Sequence, residues 1–204
     1  VGDAEGLARV AAVREALPTA ALRVDVNGQW TVPQAARALA DLAGFGLEYA
    51  EQPVRTIEQM RQLRELVEVP LAADEVIRVD RRFDEVAEVA DVAVLKVAPL
   101  GGVAATVEAA RRIGLPVVIS SALDSSLGLA AAVAAACALP EPPLACGLGT
   151  GALFAQDTTA VTLMPQDGWL PTVPSPSPRS DLVRAKDDLA MWRARIESAL
   201  ATHR

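Results

Sequence analysis

Residues 22–96 carry four short apolar runs, Leu22-Arg23-Val24-Asp25, Leu47-Glu48-Tyr49-Ala50-Glu51, Pro70-Leu71-Ala72-Ala73-Asp74 and Val92-Ala93-Val94-Leu95-Lys96, each ending on a charged residue. The closing charges stand at positions 25, 51, 74 and 96, in steps of 26, 23 and 22 residues. A strand, a turn and a helix of ordinary length fill such a step. Consecutive parallel strands joined by right-handed helical crossovers all run the same way, so their carboxyl ends meet at one sheet edge. Asp25, Glu51, Asp74 and Lys96 are therefore expected at one mouth.

The sequence between the runs supports helices. Thr31-Val32-Pro33-Gln34 and Thr56-Ile57-Glu58-Gln59 are capping boxes, in which the threonine and the glutamine three residues later satisfy each other's backbone donors. Apolar residues at helical spacing follow, Ala35, Ala36, Leu39 and Leu42 in one case and Ile57, Met60, Leu63 and Val67 in the other. An earlier helix spans Asp3 to Leu17, and Asp80 is placed to cap a helix through Phe83, Val86 and Ala87. Gly101-Gly102 leads into a helix from Val103 to Ile113, which Gly114 closes. Pro116-Val117-Val118-Ile119 reads as a fifth strand ending at Ser120-Ser121, and Leu144-Ala145-Cys146 as a sixth, weaker one. The alanine-rich segment between them is apolar on nearly every side and is expected to be buried on more than one.

The fold class is α/β, a partial (β/α) TIM-like barrel. Six units are short of eight, and 204 residues are short of the roughly 250 of a complete barrel, so two strands are expected upstream of Val1. Residues 1–155 form the barrel portion with the active site. Residues 156–204 form an extension: a linker marked by Pro171, Pro174, Pro176 and Pro178, then an amphipathic helix through Leu182, Ala185, Leu189, Trp192, Ile196 and Ala199.

Composition narrows the function. A net charge of −7 opposes nucleic acid, whose phosphates require clustered cations, and points to a small molecule instead. The apolar run from Leu127 to Leu139 is shorter than the ~20 residues of a membrane span, so no membrane is expected. Cys137 and Cys146 have no metal-ligand spacing and read as reduced core residues of a cytoplasmic protein. The oligomeric state stays open.

A single acidic residue at a strand end is ordinarily a helix cap. Glutamate caps poorly, however, and three converging carboxylates repel unless a cation lies among them. A hard divalent cation such as Mg²⁺ takes oxygen ligands and leaves positions for substrate oxygens. Lys96 is one of only two lysines against seventeen arginines, and it closes a Val, Ala and Leu run where a surface lysine does not belong. It is the candidate proton donor, base or fixed positive charge. Arg23 and Asn27 alternate onto the face of Asp25. Gly147, Gly149 and Gly151 read as a tight strand-end turn. Ser120, Ser121, Ser125 and Ser126 have no histidine partner beyond terminal His203, which excludes a Ser-His hydrolase.

Arg23-Val24-Asp25-Val26-Asn27, Glu51-Gln52-Pro53, Ala73-Asp74-Glu75 and Leu95-Lys96 together resemble the enolase superfamily in its muconate-lactonizing branch. Ile119 to Leu129 resembles the corresponding stretch of a dehydratase of that branch. The resemblance implies a C-terminal barrel, with Asp25, Glu51 and Asp74 as Mg²⁺ ligands and Lys96 as the lysine whose charge faces an enediolate. Ser120, Ser121 and Asn27 would hold a small-molecule carboxylate substrate, and Arg23 would support the site. The implied reaction is loss of water from a succinyl-hydroxycyclohexadiene carboxylate in menaquinone synthesis. Racemisation of N-acylamino acids, dipeptide epimerisation and muconate cycloisomerisation stay open as alternatives, as does a catalytically silent metal-binding fragment. Three departures stand out: Val76 stands where many relatives have serine after the Asp-Glu pair, and the family's Lys-x-Lys strand and its N-terminal capping domain have no counterpart here. The second catalytic lysine is accordingly expected on an upstream strand.

Overall fold

The structure is a computed structural model that describes residues 4–172, 176–179, 181 and 186–202. Five strands, β1 (Leu22–Asp25), β2 (Leu47–Glu51), β3 (Leu71–Ala73), β4 (Val92–Lys96) and β5 (Val117–Ser120), pair in sequence order, and every pair is parallel. Helices fill the crossovers: α2 (Val32–Leu42), α3 (Ile57–Arg64), α4 (Glu75–Asp80) with α5 (Phe83–Val89), and α6 (Val97–Leu100) with α7 (Val103–Ile113). Helix α1 (Ala4–Ala16) precedes β1, α8 (Ser126–Ala138) follows β5, and α9 (Lys186–Thr202) lies near the C-terminus. The sheet curls into a partial barrel with the helices outside.

Alternation along each strand divides the apolar residues between two cores. Val24, Ala50, Ala73, Leu95 and Ile119 face outward and meet Leu39, Met60, Ile77 and Leu129 from the helices. Tyr49, Ala72, Val92, Val94 and Val118 form a separate cluster inside the curl, with Leu144 against it. Both threonine capping boxes form as read. Outside, Arg61 bonds Glu85 and Glu88, and Arg112 bonds Asp84, which laces α3, α5 and α7 together.

Several expectations are corrected. Asp80 ends α4 and caps nothing; Arg82 holds the N-terminal position of α5 instead, because the chain forms an extra turn of helix directly after β3. The sixth strand is reduced to one parallel bridge between Ser120 and Gly147, although Leu144 and Gly147 still donate to the carbonyls of Val117 and Ile119. Prolines 140, 142 and 143 precede this segment and lack the donors a longer ladder requires. Helix α8 is buried along one side only, through Leu129, Ala132, Val133 and Ala135. Its C-terminal part, through Val133, Ala136 and Cys137, borders an apolar groove of about 620 Å³ that Cys146, Leu148 and Trp169 also line. Cys137 is consequently exposed and Cys146 half-buried. In α9, Leu189, Trp192 and Ile196 are all exposed. Leu182, Ala185, Pro174 and His203 lie outside the described residues.

A clasp carries the barrel's contacts past residue 155. Asp157 is buried and accepts hydrogen bonds from the Ser126 hydroxyl, the Ser126 N–H at 3.0 Å and the Thr158 N–H at 2.7 Å, while the Leu163 N–H donates to the Ser126 oxygen at 2.6 Å. Burial pushes the Asp157 carboxyl up, but these donors outweigh it and hold the group below its ordinary value of 3.8. A depressed carboxyl stabilises the fold above the unfolded value and loses that contribution as pH falls through the folded one. Asp157→Ala should therefore cost about 2 kcal/mol in urea unfolding at pH 7, with a smaller difference from the parent at strongly acid pH. An equal cost at both pH values would show that the carboxylate charge is not what the clasp uses.

Candidate active site

The alternation that sorts the cores also aims the strand ends. Arg23 and Asp25 share the inward side of β1; Tyr49 and Glu51 share it on β2. Val92, Val94 and Lys96 do so on β4, and Val118 and Ser120 on β5. Asp25 stands level with Glu51, and Lys96 level with Ser120. Asp74 follows Ala72 by two residues and begins the turn into α4. All four charged strand ends thus reach the carboxyl edge of the curl.

Asp74 occupies a helix N-cap position yet makes no side-chain capping bond. Its carboxylate instead accepts a hydrogen bond from the Lys96 ammonium, with the side chains only 3% and 18% exposed. A carboxylate that forgoes a cap for a buried ion pair is held for charge. Glu51 is half-buried and has its pKa pushed up to about 7, first by burial and then by the charges of Asp25 and Asp74, against which Lys96 pulls it down. Glu75 is raised by burial and by Asp74, and its Oε2 is buried without a hydrogen-bond partner. Negative charge at this mouth exceeds what Lys96 neutralises.

The other sequence candidates have mixed surroundings. Asp25 is exposed and accepts from the Asn27 N–H at 2.9 Å, the local turn expected of an aspartate at a strand end. Asn27 adopts a left-handed backbone, φ 52°, so the alternation of β1 stops before it. Arg23 bonds Glu48 at 2.6 Å, donates to the Ala145 carbonyl at 2.7 Å, and lies 4.7 Å over the Tyr49 ring. Its guanidinium is engaged by protein groups and braces the inside of the curl. Burial pushes the Tyr49 phenol up to about 12; Arg23 pulls it down, and Glu51, Glu48 and Asp25 reinforce the rise. Ser121 is buried; its hydroxyl accepts from the Asp124 N–H and pairs with the Thr150 hydroxyl at 2.7 Å. The Ser120 hydroxyl packs where a side chain at Gly147 would sit, 2.9 Å from a built Cβ. Gly147, Gly149 and Gly151 have no positive φ, and a side chain at Gly147 would have to displace the Ser120 hydroxyl.

The sequence alone assigns no role to Glu75, Gln52 or Thr150. Glu75 was legible as the second carboxylate of an Asp-Glu pair, whereas nothing in the order of residues signals that Thr150 meets Ser121.

Among the described residues, no three acidic, thiol or imidazole side chains close around one point tightly enough to form a ready metal cluster. The donor set nonetheless fits a hard cation. The groups are all oxygens, Glu51 is raised first by burial and then by its acidic neighbours, and Glu75 offers a buried oxygen with no partner.

A family model described as "Enolase C-terminal domain-like" matches residues 2–176. The chain belongs to this family. Among relatives of the enolase family domain in this chain, the o-succinylbenzoate synthase of Thermobifida fusca (strain YX) is 48% identical over 204 residues, covering 98% of the chain and 64% of that relative. The o-succinylbenzoate synthase of Mycobacterium marinum is 50% identical over 203 residues, covering 96% and 61%. The chain therefore spans a little over three fifths of the length of these relatives. Among solved structures, muconate cycloisomerase from Pseudomonas fluorescens superposes with a TM-score of 0.79 at 28% identity, over 87% of this chain and 52% of that one. N-succinyl Arg/Lys racemase from Bacillus cereus gives 0.77 at 25%, over 87% and 51%. Enzymes of this family act on small-molecule carboxylates and generally use a divalent metal. No helix among the described residues is long and apolar enough to cross a membrane.

Removing the partner of a buried charge costs far more than the pair contributes. Lys96→Met should lower stability at pH 7 by about 3 kcal/mol in urea unfolding, and adding Asp74→Asn should recover most of it. If the double variant is no more stable than Lys96→Met, the pair is not what Asp74 relies on.

Proposed function

We propose that this chain is the barrel portion of a Mg²⁺-dependent o-succinylbenzoate synthase, a hydro-lyase that eliminates water from 2-succinyl-6-hydroxy-2,4-cyclohexadiene-1-carboxylate. The observation that carries the reading is near-50% identity along almost the whole chain to relatives bearing that name. The buried Lys96 and Asp74 pair beside a raised Glu51 supports it independently.

Asp25, Glu51 and Asp74 would hold the cation. When bound, it supplies positive charge that stabilises the negative charge growing on the substrate carboxylate as the α proton leaves. Lys96 presents its ammonium on the inner side of the same mouth, where it can face that charge or deliver a proton to the departing hydroxide. Ser120, level with Lys96, offers a hydroxyl to substrate oxygen; Asn27 offers an exposed amide on the rim. Arg23 and Ser121, both engaged by protein groups, keep the walls in position. The Val and Ala lining below the mouth excludes water and strengthens every charge interaction above it.

Proton abstraction and departure of hydroxide call for two groups, and Lys96 is one. Arginines stay protonated and cannot act as the second. The reading thus assigns the other proton-transfer group to a residue beyond those described at this mouth.

Calorimetric titration tests the metal. Asp25→Ala, Glu51→Ala and Asp74→Ala should each abolish measurable Mg²⁺ uptake while the far-ultraviolet dichroism is retained; unchanged affinity removes that residue from the site. Steady-state assays of a protein that carries this chain together with the other proton-transfer group test the reaction: kcat/KM for the dehydration should exceed that for N-succinylamino acid racemisation, and Lys96→Ala should lower it by roughly 10²–10⁴-fold. The reverse order of the two activities would favour the racemase reading, which rests on neighbours such as the Bacillus cereus enzyme.

A further inference from the structure

Gln52 is fully buried and takes a left-handed backbone, φ 37°, that residues other than glycine rarely adopt. Each of its polar groups is engaged, with partners on three successive strand-end turns. Its carbonyl accepts from the Gly28 N–H of the β1 turn at 2.7 Å, and its own N–H donates to the Ala72 carbonyl of β3 at 2.9 Å. Its side-chain oxygen accepts from the Asp74 N–H at 2.9 Å and from the Val76 N–H at 3.3 Å, and its side-chain amide donates to the Val54 carbonyl at 2.7 Å. A glutamine held in an uncommon backbone state, with both ends of its amide committed, has a narrow geometric task.

We infer that Gln52 is a positioning residue that fixes Asp74 relative to Glu51, and so sets the spacing of the carboxylates that receive the cation. The inference rests on the metal reading above. Gln52 follows Glu51 directly, and its oxygen holds the backbone of Asp74, so one side chain couples the two carboxylates without touching either. Asp74 has no capping bond to fix its turn, and the Gln52 oxygen accepts from the Val76 N–H that such a cap would otherwise satisfy, as well as from the Asp74 N–H. Partners behind ligands of this kind typically carry roughly ten- to a hundredfold in metal affinity.

Three variants separate the side chain from the backbone. Gln52→Met keeps length and removes hydrogen bonding, Gln52→Gly relieves the left-handed backbone and removes the side chain, and Gln52→Glu keeps an acceptor for the Asp74 and Val76 N–H groups. In the full chain, Mg²⁺ affinity is read by calorimetry, and exchange of the Asp74 and Val76 amides by nuclear magnetic resonance without metal. The Met and Gly variants should bind Mg²⁺ at least tenfold more weakly and exchange both amides at least tenfold faster, whereas Gln52→Glu should keep amide exchange within threefold of the parent. A Gly variant with Mg²⁺ affinity within twofold of the parent overturns the inference, as does a Met variant that loses thermal stability with no change in affinity. If the Met and Gly variants do not fold, Gln52→Glu decides: amides as protected as in the parent support the assignment, and unprotected ones overturn it. If the parent itself takes up no Mg²⁺, the metal reading fails by itself, and amide protection in the three variants decides whether Gln52 holds Asp74.

Discussion

A parallel strand covered by helices has one side committed before any chemistry is chosen. Val24, Ala50, Ala73, Leu95 and Ile119 must meet the helices, so the residues between them must point into the curl. Shifting any strand by one residue would put Tyr49 or Val94 among the helices and turn Glu51 or Lys96 away from the mouth. Packing energy, roughly 1.5–3 kcal/mol for each large buried apolar side chain, thereby fixes the direction of groups that contribute little stability themselves. The site is a by-product of burying Leu39, Met60 and Leu63 correctly.

What the mouth gains in chemistry it loses in electrostatic comfort. Asp25, Glu51, Asp74 and Glu75 face one ammonium, and Lys96 spends its charge on the least exposed of them, Asp74. Burial, and then the charges of Asp25 and Asp74, push the Glu51 carboxyl up to about 7, and Glu75 has a buried oxygen without a hydrogen-bond partner. A domain optimised for stability alone would have placed apolar residues here. Lys96 and a bound cation would compete as counter-charges for Asp74.

The parts of this picture that obey local rules were open to reading from the order of residues. Strand ends at Asp25, Glu51 and Lys96, the capping boxes of Thr31 and Thr56, and the glycine stop at Gly114 depend on neighbours within a few positions. The site candidates on β1, β2 and β4 followed, since strand parity and helix length are both periodic. What escaped depended on distant partners. Asp80 looked like a cap because nothing nearby shows that a short helix forms first, and Cys137 looked like core because an alanine-rich helix does not announce which side lacks a neighbour. The roles of Gln52 and Thr150 required knowing that their turns meet those of Asp74 and Ser121.

Tyr49 is the single tyrosine of the chain, sealed within the curl under the Arg23 guanidinium, while Trp169 and Trp192 are exposed. Its phenol ionises only near pH 12 so long as burial holds. The absorbance change that accompanies tyrosinate formation is therefore a private optical gauge of the barrel interior, undiluted by any other phenol. A molecule whose inner lining opens to water would reveal it by ionising nearer pH 10.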